Sequence, residues 1–105
     1  MLELNKDNFE AEVLKAEGYV LVDFWGPTCE PCKALMPHVE GYSEKYGDKI
    51  KFASLDVTQA RRLAISQKVL GLPVIAMYKD GERIDGVVAD GATASTVEEM
   101  IKKYY

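Results

Sequence analysis

Tyr19-Val20-Leu21-Val22-Asp23-Phe24-Trp25 constrains the fold more than any other stretch of this chain. All of its residues except Asp23 are apolar or aromatic, with no alternation of polar positions, so it reads as a buried strand rather than one wetted on one face. Such a strand needs helices on both sides of its sheet, and the rest of the sequence supplies them. Asn5 can cap a helix that carries Phe9 and Val13 on one face and ends at Gly18. Cys29 or its neighbour opens a second helix, in which Leu35, Val39, Tyr42 and Tyr46 recur every three or four residues up to Gly47, with Pro37 expected to kink it. Ile50 to Asp56 reads as another strand. Thr58 is positioned to cap a short third helix with Leu63, Ala64 and Ile65 facing inward. After Gly71-Leu72-Pro73, Val74 to Lys79 and Glu82 to Val88 form strands joined by Asp80-Gly81, a dipeptide suited to the positive φ angles of a type I′ hairpin. Ser95-Thr96-Val97-Glu98 has the pattern of a capping box, opening a last helix with Val97, Ile101 and Tyr104 on its buried stripe. The expected order is β-α-β-α-β-α-β-β-α, an α/β fold with a central mixed five-stranded sheet and helices on both faces.

The 105 residues form one expected domain, residues 1–105. A chain of this size buries roughly two-thirds of its unfolded surface and needs no covalent staple. Cys29 and Cys32 are the only cysteines. A disulfide closing so short a loop stabilises by only about 2 kcal/mol, so the pair is better suited to reactivity than to support. Thirteen basic residues against seventeen acidic give a net charge of −4, without a basic cluster for a phosphate backbone. Nucleic acid is therefore not an expected partner. Met1-Leu2-Glu3-Leu4-Asn5-Lys6-Asp7 is polar and acidic where a signal peptide is basic and then apolar, and no apolar run is long enough to span a bilayer. The expectation is a cytoplasmic protein with no membrane partner, a setting in which paired cysteines are catalytic or metal-bound.

Cys29-Glu30-Pro31-Cys32, placed between a buried strand and a helix, points to redox chemistry. A thiol at a helix N-terminus faces unpaired backbone N–H groups and the positive end of the helix dipole, which favour the thiolate. Cys32, one turn on, is sheltered by the helix, whereas Gly26-Pro27-Thr28 lets Cys29 project from the end of the sheet. Cys29 is thus the expected nucleophile and Cys32 the resolving thiol that releases a reduced target. Asp23 lies six positions earlier in an apolar strand. Burial would raise its pKa, making it a candidate general base for the Cys32 proton, against the alternative of a strand-end acid that reaches solvent. Glu30 adds a negative charge beside Cys29 and, with Pro31, is a candidate for tuning the redox poise; the alternative is a solvated acid that merely favours the first helical turn.

A structural zinc needs four ligands, and the lone His38 lies about 9 Å beyond Cys32 along the helix, so no metal site is expected from one chain. An iron–sulfur cluster shared between two chains remains a rival reading. A binding module without turnover and a disulfide-forming oxidant are two others, disfavoured by the retained cysteine pair and by the absence of a signal peptide respectively.

Val22-Asp23-Phe24-Trp25-Gly26-Pro27-Thr28-Cys29-Glu30-Pro31-Cys32-Lys33, together with Pro37 and Gly71-Leu72-Pro73, resembles the thioredoxin family over nearly the whole chain. The resemblance implies the thioredoxin fold and a protein dithiol–disulfide oxidoreductase, acting as a monomeric redox carrier without a bound cofactor. It also implies a cis Pro73 across from the disulfide, with Leu72's backbone beside Cys29 available to an extended target segment. Trp25, Gly26, Pro27, Thr28, Leu72, Pro73 and Gly91 with Ala92 would form the surface that meets disulfide-containing target proteins. Reducing equivalents would come from a flavoprotein of the thioredoxin reductase type. The chain departs from the family pattern at Glu30 for Gly, Thr28 for a second Trp and Val74 for Thr. Ser54 stands where a Lys commonly accompanies the buried acid, and strand alternation points Lys51 to the opposite face. The span from Asp85 to Ala92 is about two residues longer than usual. Gly-Pro-x-Cys-x-Pro-Cys variants of this kind, here Gly26-Pro27-Thr28-Cys29-Glu30-Pro31-Cys32, look like thioredoxins associated with amino-acid-reducing systems such as glycine reductase.

Overall fold

The computed structural model describes residues 1–105. Strand β1 (Leu2–Leu4) leads into a turn capped by Asn5, whose Oδ1 accepts the N–H groups of Asp7 at 2.8 Å and Asn8 at 2.9 Å. The expected first helix continues from this cap, but as a short π-helical turn, Glu10–Leu14, closed by Lys15 N–H donating to the Glu10 carbonyl. Phe9 and Val13 are buried, as their spacing requires. Strand β2 (Tyr19–Trp25) follows, then helix α1 (Glu30–Tyr46), β3 (Ile50–Asp56), helix α2 (Arg61–Ser66), β4 (Val74–Lys79), β5 (Glu82–Val88) and helix α3 (Ala94–Tyr104).

The five strands form one sheet in the order β1-β3-β2-β4-β5, parallel across β1, β3 and β2 and antiparallel from β2 through β4 to β5. The β4–β5 turn takes positive φ at both Asp80 (50°) and Gly81 (85°), which is the geometry the dipeptide predicts. Asp80 also accepts the Gly18 N–H through Oδ1 at 2.7 Å, fastening the hairpin to the start of β2.

Sheet alternation divides the core into two layers. Val20, Val22 and Phe24 of β2 pack with Phe9, Val13, Ala64, Val74 and Tyr78 on one face. Leu21 packs with Leu35 and Val39 of α1, Ile75 and Met77 of β4, and Val97 and Ile101 of α3 on the other. Both faces of β2 are therefore covered, which explains why the run Tyr19 to Trp25 lacks polar alternation. Each fully buried Val, Leu or Phe contributes about 1.5–3 kcal/mol of transfer free energy.

Three local expectations are corrected. Thr58 caps nothing: Asp56 Oδ1 accepts the Thr58 N–H at 2.9 Å and opens a 3-10 turn, and α2 starts only at Arg61. Ile65 does not face inward but is 62% exposed, because successive helical residues are turned about 100° apart and Ala64, with Leu63 partly buried beside it, takes the inward direction. The last helix is capped by Thr93, not Ser95. Thr93 Oγ1 accepts the Thr96 N–H at 3.2 Å while Thr96 Oγ1 accepts the Thr93 N–H at 2.9 Å, a capping box built on two threonines. No helix is long and apolar enough to cross a membrane.

Candidate active site

Cys29 is the N-cap of α1, with extended backbone angles (φ −89°, ψ 101°), and Pro31 stands in the first helical turn, where its missing N–H costs nothing. Cys29 and Cys32 are joined in a disulfide, with their Cα atoms 5.2 Å apart. The Cys32 N–H donates to Cys29 Sγ at 3.2 Å. That bond, with the dipole of a 17-residue helix behind it, is the local field that favours negative charge on Cys29 once the disulfide opens. Burial separates the two sulfurs: Cys32 is 1% exposed, whereas Cys29 keeps partial exposure. An incoming disulfide therefore meets Cys29 first.

Glu30 and Pro31 are exposed beside the cysteines. Lys33 Nζ lies 3.4 Å from Glu30 Oε1, an exposed pair within the first turn of α1, so part of the Glu30 charge is cancelled before it acts on Cys29. Removal of Glu30 accordingly has a small predicted effect. Glu30→Gln should stabilise the thiolate form and raise the Cys29–Cys32 potential by about 20 mV at most, given surface interactions of about 1 kcal/mol or less. Thiol–disulfide equilibration against glutathione measures this; a shift downward would contradict the electrostatic argument.

Asp23 lies on the sheet face that α1 covers, in the row that runs across paired positions Glu3, Ser54, Asp23, Ile75 and Val87. It is 1% exposed, and its Oδ2 has no hydrogen-bond partner. Burial foremost, and the negative charge of Glu40 second, push the Asp23 carboxyl up to about 7. The cation that would oppose this shift is missing: Ser54 is the register partner of Asp23, and Lys51 donates to the Glu12 carbonyl at 2.8 Å and pairs with its carboxylate at 2.9 Å. A carboxyl with this affinity is half protonated near neutral pH and can both take and return a proton.

Across from α1, the Leu72–Pro73 peptide is cis. Leu72 precedes β4 and makes no backbone hydrogen bond, so its N–H and C=O are free to pair with an extended segment. A side chain at Gly26 would meet Leu72 Cδ1 at 3.3 Å, which brings the loop after β2 and the loop before β4 together. The Pro73 carbonyl accepts the Ala89 N–H at 2.7 Å, tying the turn Ala89–Gly91 to the same end of the sheet. Trp25 and Leu72 are partly exposed here, Pro27, Thr28 and Gly91 are exposed, and Gly26 and Pro73 are buried. The surface continues past Leu72 over Val57, Ile65, Val69 and Leu70, which share a cavity of about 250 Å³. Leu70 is 87% exposed and Ile65 62%. Sequence reasoning missed this flank because the consecutive apolar residues Leu63, Ala64 and Ile65 read together as inward-facing, although successive helical positions are turned about 100° apart and cannot share one face; Leu70 next to Gly71-Leu72-Pro73 was the available signal. No cluster of three His, Cys, Asp or Glu side chains able to hold a metal ion forms anywhere in the molecule.

The thioredoxin family profile matches residues 1–103. A thioredoxin of Acetoanaerobium sticklandii is 60% identical over 104 residues, covering 99% of either chain. A thioredoxin of Peptoclostridium acidaminophilum is 52% identical over 104 residues, covering 99% of this chain and 94% of its own. Among solved structures, a chain from a study of thiol resolution in yeast mitochondrial 1-Cys peroxiredoxin through the glutathione and thioredoxin systems superposes with a TM-score of 0.86. Its identity is 27%, and the match covers 98% of this chain and 94% of that one.

Proposed function

The chain belongs to the thioredoxin family of dithiol–disulfide oxidoreductases, and on that premise we propose that it reduces disulfides in target proteins by turnover of the Cys29–Cys32 pair. The observation that carries this reading is the unequal burial of two bonded sulfurs at a helix N-terminus. In the reduced protein the Cys29 thiolate attacks a target disulfide; a Cys29–target bond forms and one target sulfur leaves as a thiolate that takes a proton from solvent. Cys32 Sγ then attacks Cys29 Sγ and passes its proton to the Asp23 carboxylate. The Cys29–Cys32 bond forms, the second target sulfur leaves and is protonated, and two electrons have moved from the protein to its target.

Leu72's free backbone groups are the strand-pairing site for the target segment, flanked by Trp25, Gly26, Pro27, Thr28, Pro73 and Gly91. Ile65 and Leu70 extend that rim with apolar surface. A flavoprotein reductase returns the electrons, in the cytoplasm, and the protein works as a monomer without a bound cofactor. The Cys-Glu-Pro-Cys sequence supports a further role as electron donor to an amino-acid reductase of the glycine reductase type. The potential of the Cys29–Cys32 couple tests the reductant reading. We expect a value below about −230 mV, more reducing than glutaredoxins, and a value at or above about −180 mV, where disulfide isomerases sit, would overturn it.

A further inference from the structure

An open groove of about 480 Å³ runs between α1 and the β1–β3 edge of the sheet, lined by Met1, Glu3, Trp25, Lys33, Met36, Pro37, Glu40 and Ser54. It reaches the sheet at Ser54, the register partner of Asp23, directly beside an acid whose Oδ2 is buried and unpartnered. Lys33, Met36, Pro37 and Glu40 recur at helical spacing, so one stripe of α1 forms the outer wall, ending at Glu40 about two turns beyond Cys32 and Lys33. The groove opens beside the docking rim, since Trp25 lines both, and runs from there along α1 to Glu40, about 10 Å beyond Lys33 at the helical rise.

We propose that this groove is the route by which the Asp23 proton exchanges with solvent, with Glu40 as the positioning carboxylate that receives and releases it. The inference rests on the reading of Asp23 as the base for Cys32. While a target covers Cys29 and Trp25, the proton that Asp23 takes from Cys32 has no exit at the docking rim, and the Glu40 end of the groove offers one. The proton moves from the Asp23 carboxyl through solvent at the Ser54 hydroxyl to the Glu40 carboxylate and out to bulk water. In the reverse half-cycle, when the reductase opens the disulfide and Cys32 leaves as a thiolate, the same path returns a proton.

The groups facing Asp23 suit this task. On α1, Glu40 is an exposed carboxylate and Lys33 is engaged by Glu30 at 3.4 Å. On β1, Glu3 adds a second exposed acid. On β3, Ser54 supplies a hydroxyl, while the Asp56 carboxylate is held by the Thr58 N–H at 2.9 Å and its Oγ1 at 2.7 Å. On β4, Ile75 is apolar. No cation is aimed at Asp23, so the proton is not displaced by a fixed positive charge and must travel. Glu40's charge also raises the proton affinity of Asp23, which keeps donor and acceptor coupled.

Single-turnover reduction of insulin disulfides, followed from about pH 6 to 8, tests the route in weak buffer and again with added imidazole, a small diffusible proton carrier. Glu40→Gln should slow exchange about three- to tenfold in weak buffer, imidazole should restore it to near the wild-type rate, and Glu40→Asp should retain most activity. An unchanged Glu40→Gln rate in weak buffer overturns the proposal, and so does a loss that imidazole does not restore, since that loss is electrostatic rather than a missing carrier. Asp23→Asn in the same assay separates the two readings. If it leaves the rate unchanged, the base reading falls and the groove falls with it; if it slows exchange while Glu40→Gln does not, only the groove falls.

Discussion

Cys32→Ser will hold its targets instead of releasing them. Cys29 remains at the helix N-terminus, partly exposed, and its attack on a target disulfide needs nothing from Cys32 beyond the backbone N–H, which the serine retains. The second step needs a sulfur at residue 32 in line with the Cys29–target bond, and a hydroxyl of ordinary acidity cannot replace a thiolate as the attacking group. Release then falls to external thiols, so we expect turnover to drop at least about a thousandfold and a covalent adduct to accumulate. The adduct should be visible by non-reducing electrophoresis and by mass. Cys29→Ser should lose turnover equally but form little adduct, because the remaining thiol is 1% exposed. Release from Cys32→Ser at the wild-type rate, or equal trapping by both variants, would reverse the assignment of roles.

The second large effect is on stability. The Asp23 carboxyl is raised from 3.8 to about 7 by burial and by Glu40. Between those values the folded protein holds a proton that the unfolded chain has released. Stability is therefore fully present below about pH 4, falls as pH rises through the window and levels off above about 7. A shift of about three units corresponds to at most about 4 kcal/mol at high pH. Asp23→Asn puts a neutral, nearly isosteric side chain in the same place. It should leave stability almost unchanged near pH 4 and raise it by about 2–4 kcal/mol near pH 8.5, after allowance for an imperfectly bonded buried amide. In a domain of this size that is a rise in Tm of roughly 10 °C or more. Urea titrations of both proteins across pH measure it; parallel pH profiles would mean that Asp23 ionises normally. A gain in stability together with slower exchange is the trade expected of a group kept for its chemistry rather than its contribution to the fold.

Most of the architecture was legible in the chain because the signals are local. The seven-residue run of β2 can only be a strand with both faces covered. Asp80-Gly81 specifies the hairpin turn through its backbone preferences, and Cys29-Glu30-Pro31-Cys32 states both the helix start and the chemistry. The errors are local as well, and each comes from a competition that the sequence does not decide. Thr93 and Ser95 are both acceptable caps, and Thr93 prevails because Thr96 can reciprocate from the third helical position and also reach the Gly91 carbonyl at 2.6 Å. Asp56 captures the Thr58 N–H and α2 starts only at Arg61, with Ile65 turned outward.

Sequence alone determined the order of elements, the two sulfurs and the acid near them, since spacing along one chain segment dictates strand, cap and helix. Only the tertiary structure decided what those groups experience. Asp23 is without a cation because Ser54 is its neighbour across β3 and Lys51 is taken by Glu12, and its link to Glu40 and to an open groove arises where α1 crosses the sheet. Leu72's unpaired backbone beside Gly26, and the exposed Leu70 and Ile65, likewise depend on which loops meet at the end of β2 and β4. Proton affinity and surface are set by distances in space between residues far apart in the chain, and no local pattern encodes those distances.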